Sequence, residues 1–264
     1  MTHLPSLLSK ELLDVSRNRA VLLPVVLASL LSLVIPFAIT LAIPALTGEG
    51  LSSDADLASV SLSAGGPGDL GPEGRIQLFF FQQFLLLFVV LPLTGAMSLA
   101  SHSVVGEKQA RTLEPLLATP VSTLELLVAK VLGALLPTLA ISTMGLIVYF
   151  ALIGLVAERG VVAAMADGRT LVLVALVGPA SALVALQAAL LVSSRANDAR
   201  TAQQFSLFLI LPMTGLLIAQ FMGALWLSAG ALASIGLGLL AFWIVLAMVS
   251  VPAFDRETIL TRWR

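Results

Sequence analysis

Long apolar runs alternate with short polar ones along the whole chain. Residues 20–46, 76–100, 131–157, 171–192 and 201–254 carry no Asp, Glu, Lys or Arg. The first run is 27 residues long. At about 1.5 Å per residue it crosses an approximately 30 Å hydrocarbon layer with some tilt, and it is too long for the apolar part of a cleaved signal peptide. Pro24, Pro36 and Pro44 are expected to bend or end it. The last run is 54 residues, and as one helix it would extend about 80 Å, so it must fold back. Its turn is placed at 226–230, which divides it into spans at 205–227 and 231–254. The pattern therefore predicts six membrane-spanning helices.

Between the runs the pattern changes. In residues 4–19, Leu4, Leu7, Leu8, Leu12 and Val15 share one helical face, while Ser6, Ser9, Lys10, Asp14, Arg17 and Asn18 gather mostly on the other. Pro5 suits a first turn. This reads as an amphipathic helix lying on the membrane surface, the alternative being a frayed tail. Residues 47–75 hold seven glycines, two prolines and five acidic residues, which predicts a loop with room for a short helix at 54–61. Gly230, Ser234 and Gly238 form a row of small residues at a spacing suited to close helix packing.

Composition sharpens the class. Of 264 residues 58% are hydrophobic and 11% charged, with a mean hydropathy of +1.04. That is an integral membrane protein. A net charge of -1 gives no basic footprint for a nucleic-acid partner. The absence of cysteine removes disulfides, thiolate metal sites and cysteine nucleophiles. With both termini in the cytoplasm, 11 of the 14 Lys and Arg residues fall on the cytoplasmic side, and only Arg75, Arg159 and Arg169 lie outside. The positive-inside rule selects that orientation.

The chemistry that is missing narrows function. No Lys is followed by Ser or Thr, so the chain has no phosphate-binding loop and any ATP-derived energy must come from elsewhere. Neither H-E-x-x-H nor G-x-S-x-G occurs, and the two histidines, His3 and His102, are expected at the cytoplasmic surface. An intramembrane enzyme lacks a catalytic pair. An ion-coupled carrier fits less well, because the spans as read contain no ionisable residue. Gln77, Gln82, Gln83, Gln187 and Gln220 remain, either as interhelical hydrogen-bonding groups or as cargo contacts. An echo between Gln82-Gln83-Phe84 with Leu91-Pro92-Leu93-Thr94-Gly95 and Gln203-Gln204-Phe205 with Leu211-Pro212-Met213-Thr214-Gly215 fits an inverted repeat or coincidence in an apolar alphabet.

The polar island at residues 101–130 organises the rest. Thr112 caps a short amphipathic helix in which Leu113, Leu116 and Leu117 recur at helical spacing, and Pro115 is tolerated in its first turn. Pro120 ends it. Ser122 followed by Glu125 is a capping box, so a new helix should begin there and run through Lys130 into the third span. A solvated loop that happens to contain a cap fits the same residues. The run Gly106-Glu107-Lys108, Arg111-Thr112-Leu113-Glu114, Leu116-Leu117, Thr119-Pro120-Val121-Ser122 and Glu125-Leu126 resembles the intracellular signature of ABC-2 type transporter permeases. Its named departure is Arg111, where many relatives have Gly. Residues 193–204, from Ser193-Ser194-Arg195 to Gln203-Gln204, resemble that family's second intracellular loop less closely.

The resemblance implies an all-α polytopic membrane protein. It would have six transmembrane helices, an N-terminal interfacial helix and a short cytoplasmic coupling helix between spans 2 and 3, in one permease domain over residues 1–264. It further implies an ATP-driven exporter in a prokaryotic inner membrane, with a second permease protomer as homo- or heterodimer partner. Separate ATPase subunits would hold the ATP and magnesium. Glu107, Lys108, Arg111, Thr112, Leu113, Glu114, Leu116, Leu117, Thr119 and Pro120 would form the ATPase contact. No catalytic, cofactor-binding or metal residue is expected in this chain. A membrane scaffold that recruits a cytosolic partner without moving cargo is the alternative.

Overall fold

The structure is a computed structural model that describes residues 4–63, 70–109, 122–195 and 227–253, with Gly215 and Ala219. Among the described residues all regular structure is helical. Four stretches among the described residues are long and apolar enough to cross a membrane: Val25–Thr47, Leu124–Val156, Gly168–Ser193 and Ala229–Pro252. The run expected at 76–100 lies inside a further long helix. The span read at 205–227 falls outside the described residues except for Gly215 and Ala219.

Helix α1 (Leu4–Arg17) ends before Asn18, whose φ of -87° and ψ of 79° leave the helical region, and α2 (Arg19–Phe37) follows at once. The junction comes two residues earlier than the sequence pattern suggests. Leu23, Leu27, Leu30, Leu31 and Val34 of α2 are exposed, as expected for side chains that meet lipid. Pro24 lies within α2 without ending it. The irregularity falls instead between Pro36 and Pro44, where a π turn (Ala38–Ala42) leads into α3 (Ile43–Thr47). There the Thr40 hydroxyl donates to the Pro36 carbonyl at 2.8 Å, the i−4 back-bonding open to a helical threonine. Gly48, at φ 73°, adopts the left-handed conformation that terminates the helix.

The expected short helix after Asp54 is present as α4 (Ala55–Ser63). Asp54 Oδ1 accepts from the Asp56 and Leu57 amides at 2.9 and 3.3 Å, which satisfies first-turn donors. Helix α5 (Pro72–Gln109) starts at a proline, whose missing N–H costs nothing in a first turn. The Glu73 carboxylate accepts from the Leu51 and Ser52 amides, each at 3.0 Å, and so ties the loop to that turn. At 38 residues, α5 extends about 57 Å, well beyond a hydrocarbon layer. It continues nine residues past the predicted end of the second span, so the first part of the polar island is helix rather than hinge.

Helix α6 (Thr123–Val156) runs back beside α5. After it come α7 (Val161–Met165), α8 (Gly168–Val172), a second π turn (Leu173–Val177) and α9 (Gly178–Arg195). The final described helix is α10 (Ala229–Ala253), which starts two residues before the predicted span at 231–254; the chain that would lead into the expected turn at 226–230 lies outside the described residues. Helix α9 is the interior helix. Its Ala180, Ala182, Ala185, Ala188 and Ala189 are buried, and small side chains let α5 and α10 pack closely on either side. Among the described residues the row Gly230, Ser234 and Gly238 makes no close packing, and all three are exposed. Gly236 does so instead: a Cβ there would lie 2.6 Å from Leu176 Cγ of the second π turn.

Two cores result. At the end that carries α1, Met97, Leu126, Leu127, Val131, Leu186 and Leu190 cluster with Val15 against them. At the opposite end, Phe81, Phe88, Tyr149, Ile153, Leu173 and Leu232 form the second.

Candidate functional site

The residues singled out as a contact site divide between two settings. Glu107 and Lys108 lie in the last turn of α5. Arg111, Thr112, Leu113, Glu114, Leu116, Leu117, Thr119 and Pro120 lie outside the described residues, as do 196–204 and Gln220. The structure describes the frame on both sides: α5 ends at Gln109, α6 begins at Thr123, and the two helices pack antiparallel. A connection of twelve residues, 110–121, joins neighbouring helix ends.

The capping box is formed as the sequence predicts. Ser122 is extended (φ -73°, ψ 150°) and its Oγ accepts from the Glu125 amide at 3.2 Å. Glu125 Oε2 in turn accepts from the Ser122 amide and the Ser122 hydroxyl, each at 3.1 Å. Two otherwise orphaned N–H groups are satisfied reciprocally, and the carboxylate sits at the positive end of the helix dipole. The chain therefore leaves the 110–121 connection into a sharply defined helix start.

Two turns further along α6, the Lys130 side chain is wholly enclosed, and its Nζ lies 3.1 Å from Glu11 Oε1 of α1, whose side chain is 9% exposed. Lys10 Nζ approaches the same carboxylate oxygen at 3.9 Å from the solvent side. Gly133, one turn beyond Lys130, makes room for this approach: a Cβ there would lie 2.5 Å from Glu11 Cβ. Helix α1 is thus docked on α6. Sequence reasoning placed Lys130 in the new helix but passed over Glu11. The signal was present, since Glu11 stands four after Leu7, three after Leu8 and four before Val15, on the apolar face.

The polar groups inside the bundle mostly stitch helices together. The Ser142 hydroxyl donates to the Phe88 carbonyl and the Tyr149 hydroxyl to the Phe81 carbonyl, both at 2.9 Å and both from α6 to α5. Gln77 Oε1 accepts from the Glu158 amide at 2.9 Å, just beyond the end of α6. Gln83 and Gln187 are buried, and among the described residues Gln82 Oε1 is a buried acceptor without a partner. Tyr149, the chain's single tyrosine, escaped the sequence reading because nothing local marks its distant partner.

At the opposite end, Asp167 Oδ1 caps α8 by accepting from the Thr170 amide at 2.7 Å. The buried Arg169 Nε donates to the Leu227 carbonyl at 3.0 Å, pinning the connection that leads into α10. Lys130 and Arg169 both lie within apolar helical stretches, one toward each end. Among the described residues no group of three or more His, Asp or Glu side chains comes together to hold a metal ion.

A family model described as ABC-2 family transporter protein matches residues 6–233. That interval takes in α1 from Ser6 onward, the polar island, the second intracellular segment and the start of α10. No curated protein matches the chain. A match over most of the 264 residues, on a chain whose described regular structure is all helical with four stretches long and apolar enough to cross a membrane, places it: the chain belongs to the ABC-2 transporter family and is a multi-pass membrane permease.

Proposed function

We propose that the chain is the membrane-spanning subunit of an ATP-driven exporter. It forms the translocation pathway with a second permease protomer and takes its energy from separate ATPase subunits, which hold the ATP and magnesium. In this reading six spans cross a prokaryotic inner membrane with both termini in the cytoplasm, in one domain over residues 1–264. Residues 107–120 are the ATPase contact. The observation that carries it is the framing of that segment: α5 extends as helix to Gln109, past the apolar run, and the capping box restarts the chain at Ser122. The ends of two long packed helices flank residues 110–121, so a force applied there would reach the spans.

The test separates docking from folding. Arg111 and Glu114 are three residues apart, and an exposed pair of that kind contributes only about 0–1 kcal/mol. Glu114→Lys therefore leaves expression and detergent stability nearly unchanged. At a docking surface the same change sets like charge against the partner, where the penalty reaches a few kcal/mol. The expected result is a folded permease with weakened ATPase association or with hydrolysis uncoupled from transport, and the same defect from Leu117→Asp. Ser59→Lys, at an exposed position of α4, is silent. The purified chain alone hydrolyses no ATP. Wild-type association and coupling in Glu114→Lys would refute the contact, and association without any transport would favour the scaffold.

A further inference from the structure

We propose that Glu11 and Lys130 are positioning residues that lock α1 to α6 in a single register. The N-terminal helix and the first turns of α6 then move as one body when residues 107–120 are displaced. The last clause rests on the proposed ATPase contact; the lock itself does not.

Three observations converge on it. The Lys130 ammonium is wholly enclosed and 3.1 Å from Glu11 Oε1, beside the apolar cluster of Leu126, Leu127, Val131 and Leu186. Taking two charges out of water is costly, and well-packed apolar residues of similar volume commonly stabilise as much or more. Such a pair is therefore a poor device for stability and a good one for selecting a register, because a slip of α1 along α6 would pull the two buried charges apart. Gly133 supplies the second element, a notch one turn away whose Cβ, if present, would lie 2.5 Å from Glu11 Cβ. Charge and notch together specify one docking position. The third is placement. Lys130 stands eight residues after the Ser122 cap, about 12 Å along the helix. The contact therefore joins α1 to the part of α6 nearest the 110–121 connection. Lys10, 43% exposed and 3.9 Å from the same carboxylate oxygen, closes the pair toward solvent.

The experiment is amide hydrogen exchange on the full permease in nanodiscs, without any ATPase. Glu11→Gln and Lys130→Met each leave one buried partner without the other. Either should accelerate exchange across residues 4–17 at least tenfold, while residues 178–190 of α9 change less than twofold. Gly133→Val leaves both charges in place and pushes α1 away sterically, so it should give the same local loss. If a single variant fails to accumulate, Glu11→Asp and Lys130→Arg keep the charges at altered reach and should show a smaller, still local, acceleration. Exchange at 4–17 within twofold of wild type in these variants overturns the lock. Acceleration spread evenly over all helices also overturns it, by showing a general packing role. Because no ATPase is present, a locked α1 in a permease that ignores its ATPase would refute the proposed contact alone.

Discussion

Tyr149 allows a decision between two effects that hold α5 against α6. Its ring is fully enclosed, with centroids 5.1 Å from Phe88, 5.7 Å from Phe37 and 6.0 Å from Phe81. Its hydroxyl donates to the Phe81 carbonyl at 2.9 Å. Tyr149→Phe deletes only that hydrogen bond and keeps the ring. Side-chain hydrogen bonds inside membranes average about 0.6 kcal/mol, because the unfolded chain in lipid also finds partners. Tyr149→Ala removes the ring as well, and a buried aromatic lost to alanine costs about 3–5 kcal/mol through missing contacts and the cavity left behind. For a chain of this size about 1 kcal/mol corresponds to roughly 2–4 °C in Tm. Thermal unfolding in detergent should therefore show a fall of about 1–3 °C for Tyr149→Phe and roughly 6–20 °C for Tyr149→Ala. Equal falls for the two variants would mean that the hydroxyl, not the ring, joins the helices, and the packing argument would be wrong.

Two further outcomes follow from the same geometry. Arg169→Met removes a buried charged donor from the Leu227 carbonyl and should lower stability by about 1.5–3 kcal/mol, read as a lower Tm and faster amide exchange at residues 227–232; an unchanged rate there would show that the bond does not hold the start of α10. The absence of native cysteine makes orientation directly measurable: in intact cells an impermeant thiol reagent should label Ser59→Cys, and should label Ser9→Cys only after permeabilisation, the reverse pattern refuting cytoplasmic termini.

What the sequence determined by itself was local. Four apolar stretches long enough to cross a membrane, the helix behind Asp54 and the capping box at Ser122 and Glu125 are each carried by neighbours a few residues apart. Caps, turns and hydropathy act over that range, so they could be read from one dimension. The family was legible for the same reason, because its signature is a contiguous stretch, although Arg111 to Pro120 within it lie outside the described residues. Tertiary structure alone decided which face of each span is interior. In water a helix advertises its buried face by an apolar stripe, but in lipid both faces are apolar, and hydropathy does not separate the exposed Leu31 from the enclosed Phe81. That is why Gly236 rather than the row at 230, 234 and 238 makes the close contact of α10. The irregular turn falls between Pro36 and Pro44 and not at Pro24, although all three prolines stand in the same apolar run. Glu11 and Lys130 are 119 residues apart, and Tyr149 and Phe81 are 68 apart. Those pairings exist only because α1 and α5 both pack on α6, and helix adjacency is settled by shape and polar matching across the folded bundle.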